Sequence, residues 1–218
     1  VLYQMDRYDA PPSEWRVWLD PNTLSTDGTV ALKSTTFSHD GKYMAYVISR
    51  NGSDWEEIYV KDVATGKTLD DHIVWAKFTK ATWVGDGFYY SAYDAPEKGK
   101  ETSAKNSVQK IYYHRIGTPQ SDDRLFYQNP SQPLRFYEVS VNKEETVMYL
   151  TEAGMDNGNN LYVRDMTQAD LAAAVGVSRQ TIMQLERSRY NPSMLLAYSI
   201  ARVFDVTIEE LFDFREDE

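Results

Sequence analysis

The sequence predicts a β-plus-α protein, in which a partial antiparallel β-propeller of about three blades precedes a small all-α module of helix, short turn and helix. Three observations support this prediction. Strand-like phrases recur along the first part, all five Trp and 14 of the 16 Tyr lie before residue 166, and apolar residues after that point recur at helical spacing. We therefore expect a propeller segment over 1–166 and a helical domain over 167–218.

Each blade is predicted from the same phrase, an acidic or Gly-containing turn followed by an aromatic-rich strand. The phrase begins at Phe37, Trp83 and Val141, a spacing of about 45 to 58 residues, which is near the period of propeller blades. A second hairpin follows each phrase and ends in 58–62, 111–115 or 161–165. A closed propeller needs at least about four blades, so we expect an open sheet array whose edge strands invite self-association.

Helix signals begin at Thr167, which is expected to cap a first helix through a capping box. Gly176 allows a tight turn, and Ser178 is expected to cap a second helix. Further helices are predicted to start at 191–193 and to cover 207–212. Ten apolar side chains at helical spacing form the expected helical core: Leu171, Ala174, Val175, Ile182, Leu185, Leu195, Leu196, Ile200, Ala201 and Phe204.

Length and composition exclude several classes of protein. The 218 residues suffice for one or two domains, and 42 % hydrophobic with 26 % charged residues is ordinary globular usage. No apolar run approaches the roughly 18 residues of a membrane span, so we expect neither an anchor nor a signal peptide. The absence of Cys excludes disulfides, thiolate metal sites and a Cys nucleophile. A net charge of -10 restricts any nucleic-acid binding to a local face.

Catalytic chemistry is not predicted within these 218 residues. A serine peptidase needs a nucleophile on a sharp turn, and the sequence holds no Gly-x-Ser-x-Gly. The spacing of His39, His72 and His114 does not suit a metal, so we expect structural or solvated histidines and neither metal nor cofactor. The acidic pairs are expected to be solvated surface: Glu56-Glu57, Asp70-Asp71 and Asp122-Asp123.

Several motifs, in order, resemble the prolyl oligopeptidase (prolyl endopeptidase) family. They are Leu-Asp-Pro-Asn-Thr-Leu-Ser at 19–25, Asp-Gly-Thr-Val-Ala-Leu at 27–32, Gly-Ser-Asp-Trp at 52–55, Ala-Lys-Phe at 76–78 and Ile-Tyr-Tyr-His-Arg-Ile-Gly-Thr-Pro-Gln-Ser-Asp-Asp at 111–123. The resemblance implies the opening blades of a seven-bladed propeller that restricts peptide access to a separate α/β-hydrolase domain, which carries the catalytic Ser, Asp and His. That missing domain is then a possible partner. Phe78 matches an aromatic position that faces the substrate cavity in the family, but without the opposing domain we expect it to lie in the blade core.

The helical part resembles the Cro/CI-type (XRE family) helix-turn-helix regulators through the phrases at 166–182, 189–193 and 208–212. The family's first helix has no counterpart, and Asp-Met-Thr-Gln at 165–168 fits both families, so we infer a chimera of two partial domains. The resemblance implies that the second helix enters the major groove. Base contacts are then expected from Ser178, Arg179, Gln180, Thr181 and Gln184, and phosphate contacts from Gln168, Arg187 and Arg189.

The expected function is therefore sequence-specific DNA binding by 167–218, as a homodimer in the cytoplasm, although bacterial propeller relatives are often periplasmic. That segment holds 5 basic and 9 acidic residues, so its non-specific affinity would be weak. Two alternatives stay open: a gating propeller fragment of a proline-specific serine endopeptidase, and an engineered or artefactual chimera with no intact activity.

Overall fold

The structure is a computed structural model, and it describes residues 1–100, 106–154, 158–186, 191–203 and 207–208. Thirteen strands and three α-helices lie in this part of the chain. The chain divides into two compact units, Val1–Lys143 with Tyr149–Tyr162 and Glu144–Met148 with Val163–Glu218. None of the helices within these ranges is long and apolar enough to cross a membrane.

The strands form three sheets. Their bounds are β1 (Leu2–Gln4), β2 (Arg16–Leu19), β3 (Val30–Phe37), β4 (Tyr43–Arg50), β5 (Glu56–Asp62), β6 (Thr68–Ala76), β7 (Thr82–Val84), β8 (Gly87–Ala92), β9 (Lys110–Arg115), β10 (Arg124–Gln128), β11 (Phe136–Val141), β12 (Val147–Ala153) and β13 (Asn160–Asp165). β1 pairs with β2, and a larger sheet has the order β10-β9-β8-β6-β5-β4-β3, with β7 paired to β8. The third sheet has the order β11-β12-β13.

Two four-stranded antiparallel meanders, β3–β6 and β7–β10, make up the larger sheet. A single bridge, Ala76 to Ala92, joins them. The antiparallel strands predicted from the aromatic-rich phrases and their turns are therefore confirmed. Tight turns pair β4 with β5 as sequence neighbours, whereas β8 and β9 pair across the longer segment 93–109.

Two buried clusters form the core of the first unit, one on each face of β4. On β5, Ile58 and Val60 alternate with outward residues, as a half-buried strand requires. They pack with side chains of the second meander, including Trp83 and Phe88, in one buried cluster. The aromatic residues that predicted the blades therefore supply the packing between the two meanders, where each ring removes a large apolar area from water.

The three helices are α1 (Met166–Ala174), α2 (Arg179–Glu186) and α3 (Met194–Val203). α1 begins at Met166, one residue before the predicted start and directly after β13. The turn at Gly176 is confirmed by its φ of 71°, which favours glycine. Ser178 caps α2 as predicted, since its Oγ accepts a hydrogen bond from the Thr181 N–H at 3.2 Å.

The helical core agrees only in part with the prediction. Ala172, Ile182, Leu196 and Ile200 form its buried cluster, with Leu171, Val175, Val177 and Leu185 against it. Leu195 is 76 % exposed, because neighbouring helix positions are rotated by about 100° and Leu196 takes the inner face. Ala174 is also exposed. Phe204 and most of the predicted fourth helix over 207–212 lie outside the described residues.

Candidate functional site

The histidines were the first candidates for chemistry, and the structure separates them. His72 lies in β6 rather than in a loop, with Nε2 2.9 Å from Glu57 Oε2. His39 follows β3 in an exposed turn. His114 is fully buried in β9. In the described part of the chain, no three His, Asp or Glu side chains are grouped so as to hold a metal ion.

His114 contacts a carboxylate through each ring nitrogen. Nδ1 lies 2.7 Å from Asp123 Oδ1, and Nε2 lies 2.9 Å from Asp71 Oδ1. The Tyr90 hydroxyl donates to Asp123 at 2.7 Å, and the Gly117 N–H donates to Asp71 at 2.6 Å. Burial by itself lowers the pKa of His114, but the hydrogen bonds and charges of Asp123 and Asp71 outweigh it and leave that pKa above its ordinary value. Because both nitrogens are occupied by carboxylates, His114 fastens strands together instead of activating a nucleophile.

The expectation that the acidic pairs are solvated surface is wrong for one member of each pair. Asp71 is 4 % exposed and Glu56 is 9 % exposed, and the Asp123 side chain is 2 % exposed. In the pairs on β5 and β6, neighbouring residues face opposite sides of the strand, so one carboxylate faces the packed side. Asp123 directly precedes β10 and is buried through its contacts with His114 and Tyr90. The sequence held a signal for the burial of Asp71. Asp71 lies two residues before Ile73 on β6, so both side chains face the same, buried side of the strand.

Phe78 lies at the surface, so the expectation that it belongs to the blade core is wrong. Its side chain is 56 % exposed, and its backbone φ of 53° turns it out of the strand path that ends at β6. Its ring meets Phe136 edge-on, with centroids 5.4 Å apart. A cavity of about 210 Å³ opens beside it, lined in part by Lys80, Tyr89 and Glu138.

Cationic and aromatic groups continue this surface. Lys77 Nζ lies 5.3 Å from the Trp55 ring centroid and 5.4 Å from that of Phe78, within cation–π range. Asp54 pairs with the same ammonium at 3.4 Å. We call Trp55, Lys77, Phe78 and Phe136 the Phe78 surface. Phe78 is the exposed ring of this surface, while Trp55 and Phe136 are half-buried. An exposed ring face suits contact with apolar side chains or proline rings.

The residues assigned to DNA lie in and around the helices. Arg179, Gln180 and Gln184 are exposed on α2, and Thr181 is half-buried. Ser178 is occupied as the helix cap, and Gln168 lies within α1. Arg187 and Arg189 lie outside the described residues.

Comparison with known proteins identifies the chain's family. The family profile described as "Prolyl oligopeptidase, N-terminal beta-propeller domain" matches residues 1–192. The chain belongs to the prolyl oligopeptidase family. All three sheets lie within the match, so the antiparallel sheets are those of a prolyl oligopeptidase propeller segment.

Relatives and solved structures agree with this assignment. The chain is 38 % identical over 167 residues to the prolyl endopeptidase of Elizabethkingia meningoseptica, which covers 76 % of this chain and 23 % of that protein. It is 34 % identical over 174 residues to prolyl oligopeptidase A of Amanita bisporigera, covering 71 % and 23 % of the two chains. A structure of prolyl oligopeptidase B from Galerina marginata, bound to a 35mer hydrolysis and macrocyclization substrate, matches with a TM-score of 0.68 and 28 % identity, covering 76 % of this chain and 25 % of that one. The chain thus spans about a quarter of the length of these relatives.

DNA binding, the function expected from the helical part, is wrong for this chain, and so is its description as an XRE-type transcription regulator. The family match continues past residue 166 to residue 192 and therefore includes α1 and α2. The excess of acidic over basic residues in 167–218 also opposes phosphate binding. All eight residues assigned to DNA lie inside the match: Gln168, Ser178, Arg179, Gln180, Thr181, Gln184, Arg187 and Arg189. Their individual assignments, and the domain boundary at residue 166, stay predictions.

Proposed function

We propose that this chain is a non-catalytic propeller segment of a proline-specific serine endopeptidase, which admits peptides to a separate hydrolase domain. The observation that carries the proposal is the match of residues 1–192 to the family's N-terminal propeller domain. The catalytic residues of such an enzyme would lie outside this segment, since its sequence holds no Gly-x-Ser-x-Gly.

The Phe78 surface supports a role in peptide binding within that function. Phe78 is exposed beside a cavity, and a strained left-handed backbone holds it there. Such strain in a non-glycine residue persists only where surrounding contacts maintain it, here the ring of Phe136 and the cation of Lys77. Phe78 would then contact substrate, while a separate hydrolase domain performs the cleavage.

A segment exchange tests the proposal. Residues 1–165 replace the corresponding residues of the Elizabethkingia meningoseptica prolyl endopeptidase, and hydrolysis of a fluorogenic Gly-Pro peptide is measured for the hybrid and for the 218-residue chain alone. We expect turnover by the hybrid and none by the chain alone. Phe78→Ala in the hybrid is expected to raise KM several-fold with little change in kcat, since it removes binding without touching the reacting groups.

The matched control is Tyr8→Ala, because the Tyr8 side chain is 96 % exposed. Hydrolysis by the isolated chain would refute a non-catalytic role. A hybrid with native melting behaviour but no hydrolysis would show that this segment does not serve as an endopeptidase propeller.

A further inference from the structure

Phe78 lies in a short segment, 77–79, that directly follows the end of β6. Its φ of 53° is in the left-handed region, which is unfavourable for a residue that carries a side chain. The ring of Phe136 and the cation of Lys77 contact the Phe78 ring, but ring contacts do not fix a backbone. The backbone groups of Lys77 and Thr79 are bound by other side chains, which are buried.

Glu56 binds the residue that follows Phe78. The Thr79 N–H donates to Glu56 Oε2 at 3.1 Å, and Glu56 is only 9 % exposed. Burial raises the pKa of the Glu56 carboxyl, and the N–H groups of Thr79 and Phe78 oppose that rise, because both face the carboxylate. The Thr79 side chain is fixed as well, since its Oγ1 accepts from the Ser91 N–H at 2.8 Å. One buried carboxylate thus holds the backbone across the left-handed turn.

Gln109 binds the residue that precedes Phe78. Its Nε2 donates to the Lys77 carbonyl oxygen at 2.9 Å, and its Oε1 accepts from the Tyr137 N–H at 2.6 Å. Gln109 is fully buried, so its carboxamide acts as an inserted peptide group between the end of β6 and β11. Lys77 directly precedes Phe78 and Tyr137 directly follows Phe136, so this carboxamide sets the separation of the two aromatic rings.

Ser91 on β8 completes the same connection. Its carbonyl oxygen accepts from the Lys77 N–H at 3.3 Å, and its hydroxyl donates to the Tyr137 carbonyl oxygen at 2.7 Å. Ser91 and Gln109 therefore bind both backbone groups of Lys77 and both backbone groups of Tyr137. Buried backbone groups need partners, so the loss of the Gln109 carboxamide would leave one donor and one acceptor here unpaired.

We propose that Glu56 and Gln109 are positioning residues, which hold Phe78 in the orientation that contacts a peptide. Both are buried and both bind backbone groups, so they act through Phe78 and do not touch the peptide themselves. The inference rests on the proposed function for the contact between Phe78 and substrate. The placement of the ring depends only on contacts within this chain.

Ring contacts in the full 218-residue chain test the positioning directly. With isotope-labelled phenylalanine, we expect a nuclear Overhauser effect between the Phe78 and Phe136 rings of the native chain. Glu56→Ala and Gln109→Leu should both lose it. Glu56→Gln should retain it, because the amide oxygen can still accept from the Thr79 N–H. If Gln109→Leu does not fold, the comparison of Glu56→Ala with Glu56→Gln decides.

The matched control is Gln120→Leu. The Gln120 carboxamide also binds a backbone, since it donates to the Val74 carbonyl oxygen and accepts from the Val74 N–H, each at 3.0 Å. Gln120→Leu should lower the melting temperature, as Gln109→Leu does, but leave the contact between the rings intact. A ring contact that survives in both Glu56→Ala and Gln109→Leu would overturn the proposal. A contact that Gln120→Leu also removes would overturn it equally.

Hydrolysis by the hybrid enzyme separates positioning from general stability. Glu56→Ala is expected to raise KM several-fold with little change in kcat, as Phe78→Ala does, and Glu56→Gln should restore most of the affinity. In the Phe78→Ala background, Glu56→Ala should add nothing, because it acts through that ring.

The kinetic outcomes distinguish this inference from the proposed function. If Phe78→Ala raises KM while Glu56→Ala leaves it unchanged, or if the two effects multiply, the positioning role is wrong. If Phe78→Ala itself leaves KM unchanged, the proposed peptide contact is wrong, and the contact between the rings in the 218-residue chain still decides the positioning.

Discussion

The Nε2 atom of His114 lies 2.9 Å from Asp71 Oδ1, and this contact fastens β9 to β6 across the junction of the two meanders. The other ring nitrogen holds Asp123, which directly precedes β10. A fully buried imidazolium between two carboxylates is stable only while all three groups are present, because each desolvated charge depends on the others.

Removing Asp71 is expected to destabilise the fold strongly. Asp71→Ala leaves His114 with one carboxylate and the Gly117 N–H without its acceptor, so the free energy of unfolding should fall by about 3 to 5 kcal/mol. Asp70→Ala, one residue away and exposed, should change it by less than about 0.5 kcal/mol. Urea denaturation of both variants measures the free energy of unfolding. Equal losses for Asp71→Ala and Asp70→Ala would mean that the buried contact between Asp71 and His114 adds no stability beyond that of an exposed carboxylate.

The stability of the chain is expected to fall as the pH rises through the raised pKa of His114. The pKa of His114 is raised in the folded state, so its stabilising contribution is fully present below the unfolded value of about 6.5 and is lost as the pH rises through the folded pKa. Urea midpoints between pH 6 and pH 9 should therefore decline for the native chain and less for His114→Gln. His72→Gln, on an exposed residue, is the control. Parallel profiles for the native chain and His114→Gln would contradict the prediction.

Gly87 is expected to tolerate no side chain. A Cβ there would lie 2.0 Å from the His114 carbonyl oxygen and 2.9 Å from the Tyr113 ring, so Gly87→Ala must push β8 away from β9. We expect a loss of at least about 1 to 3 kcal/mol. Gly28→Ala is the control, since its Cβ meets nothing and only its positive φ of 70° is unfavourable. Thermal melting that ranks Gly28→Ala as the more damaging change would show that β8 and β9 are less closely packed than this geometry requires.

The two threonine hydrogen bonds between sheets are expected to contribute independently. Thr36→Val and Thr82→Val keep the side-chain shape but remove the hydroxyls that reach Ala81 and Val139, so each should lower the unfolding free energy by at least about 1 kcal/mol. Thr36→Val should cost more, because its hydroxyl also accepts from Trp83 Nε1. The double variant should lose the sum, because the bonds lie at different sheet junctions. Thr118→Val, whose hydroxyl serves only a local turn, should cost less. A double variant no worse than either single one would show that one junction opens before the other contributes.

Local structure was largely predictable from the sequence. The strands of both meanders follow from aromatic-rich apolar runs bounded by turn residues. The cap at Ser178 follows from a hydroxyl at the start of a helical pattern. The start of α1 was predicted one residue too late. β13 ends at residue 165 and α1 begins at residue 166, so no loop residue marks the boundary between them.

The site was less predictable. Phe78 was singled out, but its exposure depends on a left-handed backbone that no residue type signals. Lys77 and Trp55 were missed as a pair, because they are far apart in sequence and meet only when β5 and β6 pair.

The sequence by itself determined the antiparallel strands, the turns and the faces of the strands, because these depend on residues within a few positions of each other. The tertiary structure alone decided that Asp71 and Asp123 meet His114, that Thr36 reaches Ala81, and that Phe37 stays exposed where Trp83 is covered. These relationships join residues brought together by the stacking of whole sheets. The periodicity of a single strand sets which way a side chain points but not which distant strand it will meet.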